Sequence, residues 1–263
     1  MEARRPIARL YKGEVGWFRV ENRPAVTQPT QPGSAQEARR LYDGRFALAP
    51  LEKQTVCPEV TGTGPVLILV HGIGGDGHEW IPVLPVLDRL GPSQQYMYRW
   101  FFPKERKELV DGLVRGIEQL ARCNPSRRVL VLAHSAGGVL CSFAASLIRV
   151  PPSGKVEIIT VASPLAGSGT RSTLPVEDEE TRFLLSLGGV IPGYPAAAPG
   201  VEVVHMRTRY PADEAMKPSS SGHQPNAPGA VVEGARTVEL PDSVDHVTSL
   251  LFVATQLVER ERL

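Results

Sequence analysis

The sequence predicts an α/β fold, a mostly parallel central sheet with helices on both faces. Two observations carry this expectation. Strand-like and helix-like segments alternate from about residue 64 to residue 260, and βαβ alternation builds parallel sheets through right-handed crossovers. Val66-Leu67-Ile68-Leu69-Val70 and Val129-Leu130-Val131-Leu132-Ala133 are also continuous apolar runs, as strands need when both faces are covered. Composition agrees: 263 residues, 42% apolar and 22% charged, suit one α/β domain with a full core.

Residues 1–60 read as an N-terminal extension packed on the core, and residues 61–263 as the main domain. In the extension, Tyr11 to Val20 and Phe46 to Leu51 hold strand formers, while 22–36 is rich in Pro, Gln and Ser and reads as loop. The strand 66–70 runs into the glycine-rich loop His71-Gly72-Ile73-Gly74-Gly75. A helix over 79–89 and a strand from Gln95 to Trp100 follow. Residues 105–122 form the best amphipathic helix, with Leu109, Leu113, Ile117 and Leu120 at spacings of three and four. The strand 128–134 leads into a helix over 137–149, and Lys155 to Val161 is the next strand.

Residues 164–200 break this rhythm. They hold a short helical piece near 177–188 and a Pro- and Ala-rich run from Pro192 to Gly200, and read as a small lid-like excursion. Ile191, Pro192, Tyr194, Pro195 and the alanines 196–198 either line an apolar pocket or face solvent. Val201 to Met206 and Arg236 to Leu240 complete the sheet. A final helix from His246 to Glu259 is expected to turn Val247, Leu250, Leu251, Ala254, Leu257 and Val258 inward.

Chemistry concentrates where strand 128–134 meets its helix. His134-Ser135-Ala136-Gly137-Gly138 has the layout of a nucleophile elbow, a serine at the peak of a tight strand-to-helix turn. A serine hydroxyl needs a base to take its proton and an acid to orient that base. His246 is the candidate base, after the last strand; His223 and His205 compete, and His205 lies within a strand pattern. The acid is expected after strand 201–206, where Asp213 comes first; Glu214, Asp242 and Asp245 are rivals, and Asp245 or Ser243 could cap the last helix. A tetrahedral intermediate needs preorganised donors for its oxyanion. The backbone N–H groups of Ala136 and Ile73 are the candidates, with His71, Gly72 and His134 shaping the site.

LILVHGIGG (67–75), LAHSAGG (132–138) and ITVASPLAGS (159–168) together resemble the α/β-hydrolase superfamily, within it lipases and esterases of the bacterial-lipase or PGAP1-like type. Ala133 departs from the commoner glycine of that elbow, and Ser163 from the commoner threonine. The resemblance covers about residues 64–260. It implies a Ser135-His246-Asp213 triad, an acyl-enzyme intermediate and no cofactor. Thioester or amide hydrolysis and acyl transfer use the same machinery, and a non-catalytic binding protein on this fold is the competing class.

The expected partner is a small-molecule or lipid ester. A net charge of +1 favours no nucleic-acid surface. No P-loop or dinucleotide motif, and no His/Cys/Asp cluster for a metal, is present in the sequence. No stretch of 18 apolar residues predicts a membrane span, which leaves peripheral lipid contact open. Cys57, Cys123 and Cys141 fit no zinc spacing and read as free thiols; with no apolar signal stretch behind the basic start, a cytoplasmic setting is expected. The sequence does not predict an oligomeric state.

Overall fold

The computed structural model describes residues 16–22, 46–50, 64–72, 78–80, 82–91, 93–97, 106–167, 191, 193–213, 216–218, 224–227 and 230–261. Among them the strands are β1 (Gly16–Asn22), β2 (Phe46–Pro50), β3 (Val66–Val70), β4 (Ser93–Met97), β5 (Arg128–His134), β6 (Lys155–Val161), β7 (Val201–Arg207) and β8 (Arg236–Glu239). They form one sheet in the order β2-β1-β4-β3-β5-β6-β7-β8. Pairings from β4 through β8 are parallel, whereas β1 runs antiparallel to both β4 and β2. The helices are α1 (Leu84–Leu87), α2 (Arg106–Cys123), α3 (Ala136–Ala144) and α4 (Thr248–Arg260), with a 3-10 turn at His78–Trp80. The parallel strands, their order and the sharp β5–α3 turn make this the α/β-hydrolase fold.

Side-chain alternation explains why β3 and β5 are apolar throughout. Val66, Ile68, Val70, Val129, Val131 and Ala133 pack on one face against Leu109, Leu113, Ile117 and Leu120 of α2 and Val139 and Leu140 of α3. Leu67, Leu69, Leu130 and Leu132 point the other way, against Leu84 and Leu87 of α1 and Leu250, Val253 and Leu257 of α4. Each strand residue therefore meets a helix whichever way it points.

Several expectations are corrected. The helix foreseen over 79–89 is only the turn at His78–Trp80 and the four residues of α1. Pro82 and Pro85 lack the N–H that a continuous helix needs, so α1 begins at Leu84 with Pro85 in its first turn. Val247 and Leu251 are 71% and 39% exposed rather than buried. The buried stripe of α4 runs through Leu250, Val253, Ala254, Leu257 and Val258; Leu251 lies one residue, about 100°, round from it, and Val247 shares its side. Ile191 and Tyr194 do not face solvent. They are buried against the α2–α3 face, where Tyr194 donates to Leu165 O at 2.9 Å and meets Phe143 edge-on, while Pro195 and Ala196 are exposed. Residues 168–190 and 192, the bulk of the foreseen lid with its helix near 177–188, lie outside the described residues.

Cys141 is a buried free thiol whose titration burial pushes upward. Cys123 is disulfide-bonded, so the expectation of free thiols fails there, and with it one support for a reducing compartment. Cys57 lies outside the described residues. No described helix is long and apolar enough to cross a membrane.

Candidate active site

The β5–α3 turn places Ser135 at φ 51° and ψ −124°, a backbone conformation that side-chain-bearing residues seldom adopt. Its N–H donates to Val161 O on β6 at 2.9 Å, and its own carbonyl accepts Gly138 N–H at 3.0 Å as α3 begins. The strain is held because α3 sits directly on the end of β6. A Cβ on Gly138 would stand 1.9 Å from Ser163 Oγ and 2.9 Å from Thr160 Cβ, so only glycine permits this approach. Ala136 opens α3, which puts its backbone N–H at the helix start beside the serine.

The loop after β7 supplies Asp213, fully buried, whose Oδ2 lies 3.0 Å from His246 Nδ1. Thr208 Oγ1 donates to the same oxygen, which fixes the carboxylate from behind. The carboxylate accepts the Nδ1 proton, so Nε2 is the nitrogen left with a lone pair. The His246 side chain is 26% exposed against 0% for Asp213: the acid is sealed and the imidazole reaches outward.

His246 precedes the first assigned residue of α4, Thr248, rather than lying inside the helix. Asp245 explains its setting. Its Oδ1 accepts the N–H groups of Val247 and Thr248 at 2.9 and 2.7 Å, Thr248 Oγ1 accepts its N–H at 3.0 Å, and its carbonyl accepts Ser249 N–H at 3.1 Å. This reciprocal capping holds His246 in the opening turn. Hydrogen bonds from Thr248 lead the effects that hold the Asp245 carboxyl below its ordinary value. Asp245 is therefore engaged as a cap, and Asp242 is exposed. Asp213 is the carboxylate bonded to the imidazole.

His205 is buried inside β7, with Nδ1 2.8 Å from Thr160 Oγ1 and Nε2 accepting Val232 N–H at 3.3 Å. Burial, aided by the Arg207 charge, pushes its pKa down to about 4, so it is a neutral structural histidine. Ile73, Glu214 and His223 lie outside the described residues. His71 is fully buried, with Nδ1 2.8 Å from Gly72 O. Gly72 N–H donates to Glu79 Oε1 at 2.6 Å, and His134 Nδ1 lies 3.0 Å from that same oxygen. The His134 and His246 rings are 4.7 Å apart between centroids, which links the elbow to the Asp213–His246 pair.

Sequence reasoning missed Glu79, Thr208 and Ser249. Glu79 was hidden in a segment read as an ordinary helix; the only signal available was a carboxylate soon after a glycine-rich loop. Thr208, directly after β7, had no motif. Among the described residues, no group of three or more His, Cys, Asp or Glu is placed to hold a metal.

No protein-family model matches the sequence, and no curated protein matches it. Solved structures do resemble it. The esterase domain of a Rhodothermus marinus protein is 15% identical, with a TM-score of 0.45 over 95% of this chain and 98% of its own. Thermogutta terrifontis esterase 2 is 13% identical, with a TM-score of 0.45 over 76% and 83% of the two chains. A hydrolase from Oleispira antarctica is 13% identical, with a TM-score of 0.46 over 77% and 93%.

Proposed function

We propose that this chain is a serine hydrolase of the esterase and lipase type, with Ser135 as nucleophile, His246 as base and Asp213 as orienting acid. The observation that carries the reading is the buried Asp213 carboxylate on His246 Nδ1 at 3.0 Å, with the His246 carbonyl 3.0 Å from Nε2 of His134, the neighbour of a serine held at φ 51°. A non-catalytic role predicts no such pairing. It would leave the strained serine and the sealed carboxylate unexplained.

In this reading His246 Nε2 takes the Ser135 proton as Oγ attacks an ester carbonyl. Asp213 holds the imidazole in the tautomer that leaves Nε2 basic, and stabilises the imidazolium that forms. Ala136 N–H, at the start of α3, receives the developing oxyanion, with the loop after β3 and its Ile73 N–H as the second donor. The imidazolium then protonates the leaving alcohol. Water, activated by the same histidine, releases the acid from the acyl-enzyme. No step needs a cofactor.

The test is the pre-steady-state release of p-nitrophenol from short- and long-chain acyl esters by the unaltered chain and by Ser135→Ala. A burst equal to the enzyme present, absent in Ser135→Ala, is expected, and chain-length preference then sizes the pocket. Turnover surviving Ser135→Ala removes the serine as nucleophile. Reaction with thioesters or amides in preference to esters moves the proposal to those substrates.

A further inference from the structure

His134, the residue before Ser135, is 6% exposed and has both ring nitrogens engaged. Nε2 lies 3.0 Å from the backbone carbonyl of His246, and Nδ1 lies 3.0 Å from Glu79 Oε1. A carbonyl oxygen only accepts, so Nε2 carries a proton. Glu79 Oε1 also accepts the Gly72 N–H at 2.6 Å. His134 therefore bridges the Glu79 carboxylate and the His246 carbonyl through its two ring nitrogens.

Burial pushes the Glu79 carboxyl upward, but the hydrogen bond and charge of His134, the His71 charge and the Gly72 N–H outweigh burial and hold it below its ordinary value. Among the described residues, Glu79 from the 3-10 turn and His246 from the turn before α4 meet His134, with His71 acting on Glu79 from the end of β3. Trp80 meets the His134 ring edge-on.

We propose that His134 and Glu79 are positioning residues, a clamp that fixes His246 through its backbone and ties it to Gly72, directly after β3. The proposal rests on the reading of Ser135 and His246 given above. His246 is gripped at two points: its ring by Asp213 at 3.0 Å, its carbonyl by His134 Nε2 at 3.0 Å and Ser249 Oγ at 2.8 Å. The Glu79 oxygen that holds His134 also holds Gly72, so one side chain connects the elbow, the base and the chain directly after β3. With both ring nitrogens engaged, His134 does not compete with His246 as base.

The test compares Glu79→Gln, Glu79→Ala, His134→Ala and Ser135→Ala in the full chain, by kcat and KM across pH on p-nitrophenyl acetate and by thermal unfolding. Glu79→Ala and His134→Ala are expected to lower kcat about ten-fold or more with little change in KM, because the base is misplaced rather than the substrate unbound. Glu79→Gln keeps the volume and an acceptor oxygen for the Gly72 N–H, and is expected to recover most of the kcat that Glu79→Ala loses. A purely structural role would lower kcat only in step with thermal stability, and would overturn the proposal. So would a Glu79→Gln kcat as low as that of Glu79→Ala, which decides the matter even if His134→Ala does not fold. If Ser135→Ala is inactive while the clamp variants are unaffected, the clamp alone fails. If Ser135→Ala still turns over, the reading of the site fails.

Discussion

Gly72 and Ser135 are in contact: a Cβ built on Gly72 would stand 3.0 Å from the Cβ of Ser135, with His134 Nδ1 at 3.4 Å and Glu79 Oε1 at 3.5 Å. Gly72 therefore lies against the serine with no room for a methyl group unless a neighbour shifts. Gly72→Ala is expected to fold but to displace either the serine or the Glu79–His134 pair by a few tenths of an ångström. Misplacement on that scale lowers kcat by roughly ten- to a hundred-fold. Steady-state kinetics beside a thermal melt checks this; unchanged kcat would mean that the loop yields freely.

Asp213→Asn probes the orienting role proposed for Asp213. The atom now at Oδ2 accepts from both Thr208 Oγ1 and His246 Nδ1. An asparagine offers there either a neutral oxygen or an amide that faces two donors, and the tautomer of His246 is no longer imposed. A fall in kcat of about 10³–10⁴ with little effect on KM is expected. Activity within a few-fold of the unaltered chain would transfer the acid role elsewhere.

His205 gives the fold a pH dependence of its own. Its pKa falls from 6.5 to about 4 on folding, through burial first and the Arg207 charge second. The folded chain therefore binds fewer protons than the unfolded chain between those values. The contribution is fully present above pH 6.5 and is lost as pH falls towards 4. Over that window the stability lost is up to roughly 3 kcal/mol. Urea unfolding at a series of pH values is expected to follow this decline, and His205→Gln to flatten it while lowering stability at neutral pH. A parallel decline in His205→Gln would assign the pH dependence to other groups.

Glu157 is the polar residue in an otherwise apolar stretch of β6, and its side chain is 6% exposed. Arg260, in the last residue of α4, holds it with two bonds of 2.6 and 3.0 Å, and Arg128 lies 3.4 Å away. Glu157→Ala would release both guanidinium groups, but at 37% and 29% exposure these can turn to water. The expected loss is therefore about 2 kcal/mol, below that of a fully buried pair. Chemical denaturation measures it; a loss near zero would mean that the pair only offsets its own desolvation.

The sheet core was legible because its signals are local. β5 and β6 were read at their observed bounds, and β3 and the elbow from an apolar run ending in small residues, since a strand covered on both faces leaves no polar alternation. Propensity was also enough to find α2. It failed at residues 79–89, where two prolines outweighed the apolar pattern, and on α4, where the periodicity did not distinguish Leu251 from the buried stripe one residue away.

The sequence by itself determined the α/β alternation, a strand-to-helix turn at Ser135 and a short set of acids and histidines. Only the tertiary structure shows which of those acids meets which histidine. Asp213 and His246 are 33 residues apart in the chain, and what joins them is the adjacency of β7 and β8, whose following loops converge. Asp245, nearer in sequence, is held instead by the backbone N–H groups of Val247 and Thr248. Glu79 and His134 meet across 55 residues because β3 and β5 are neighbours in the sheet. A side chain's neighbours along the chain are set by composition and period; its neighbours across the sheet are set by strand order, which local patterns do not encode.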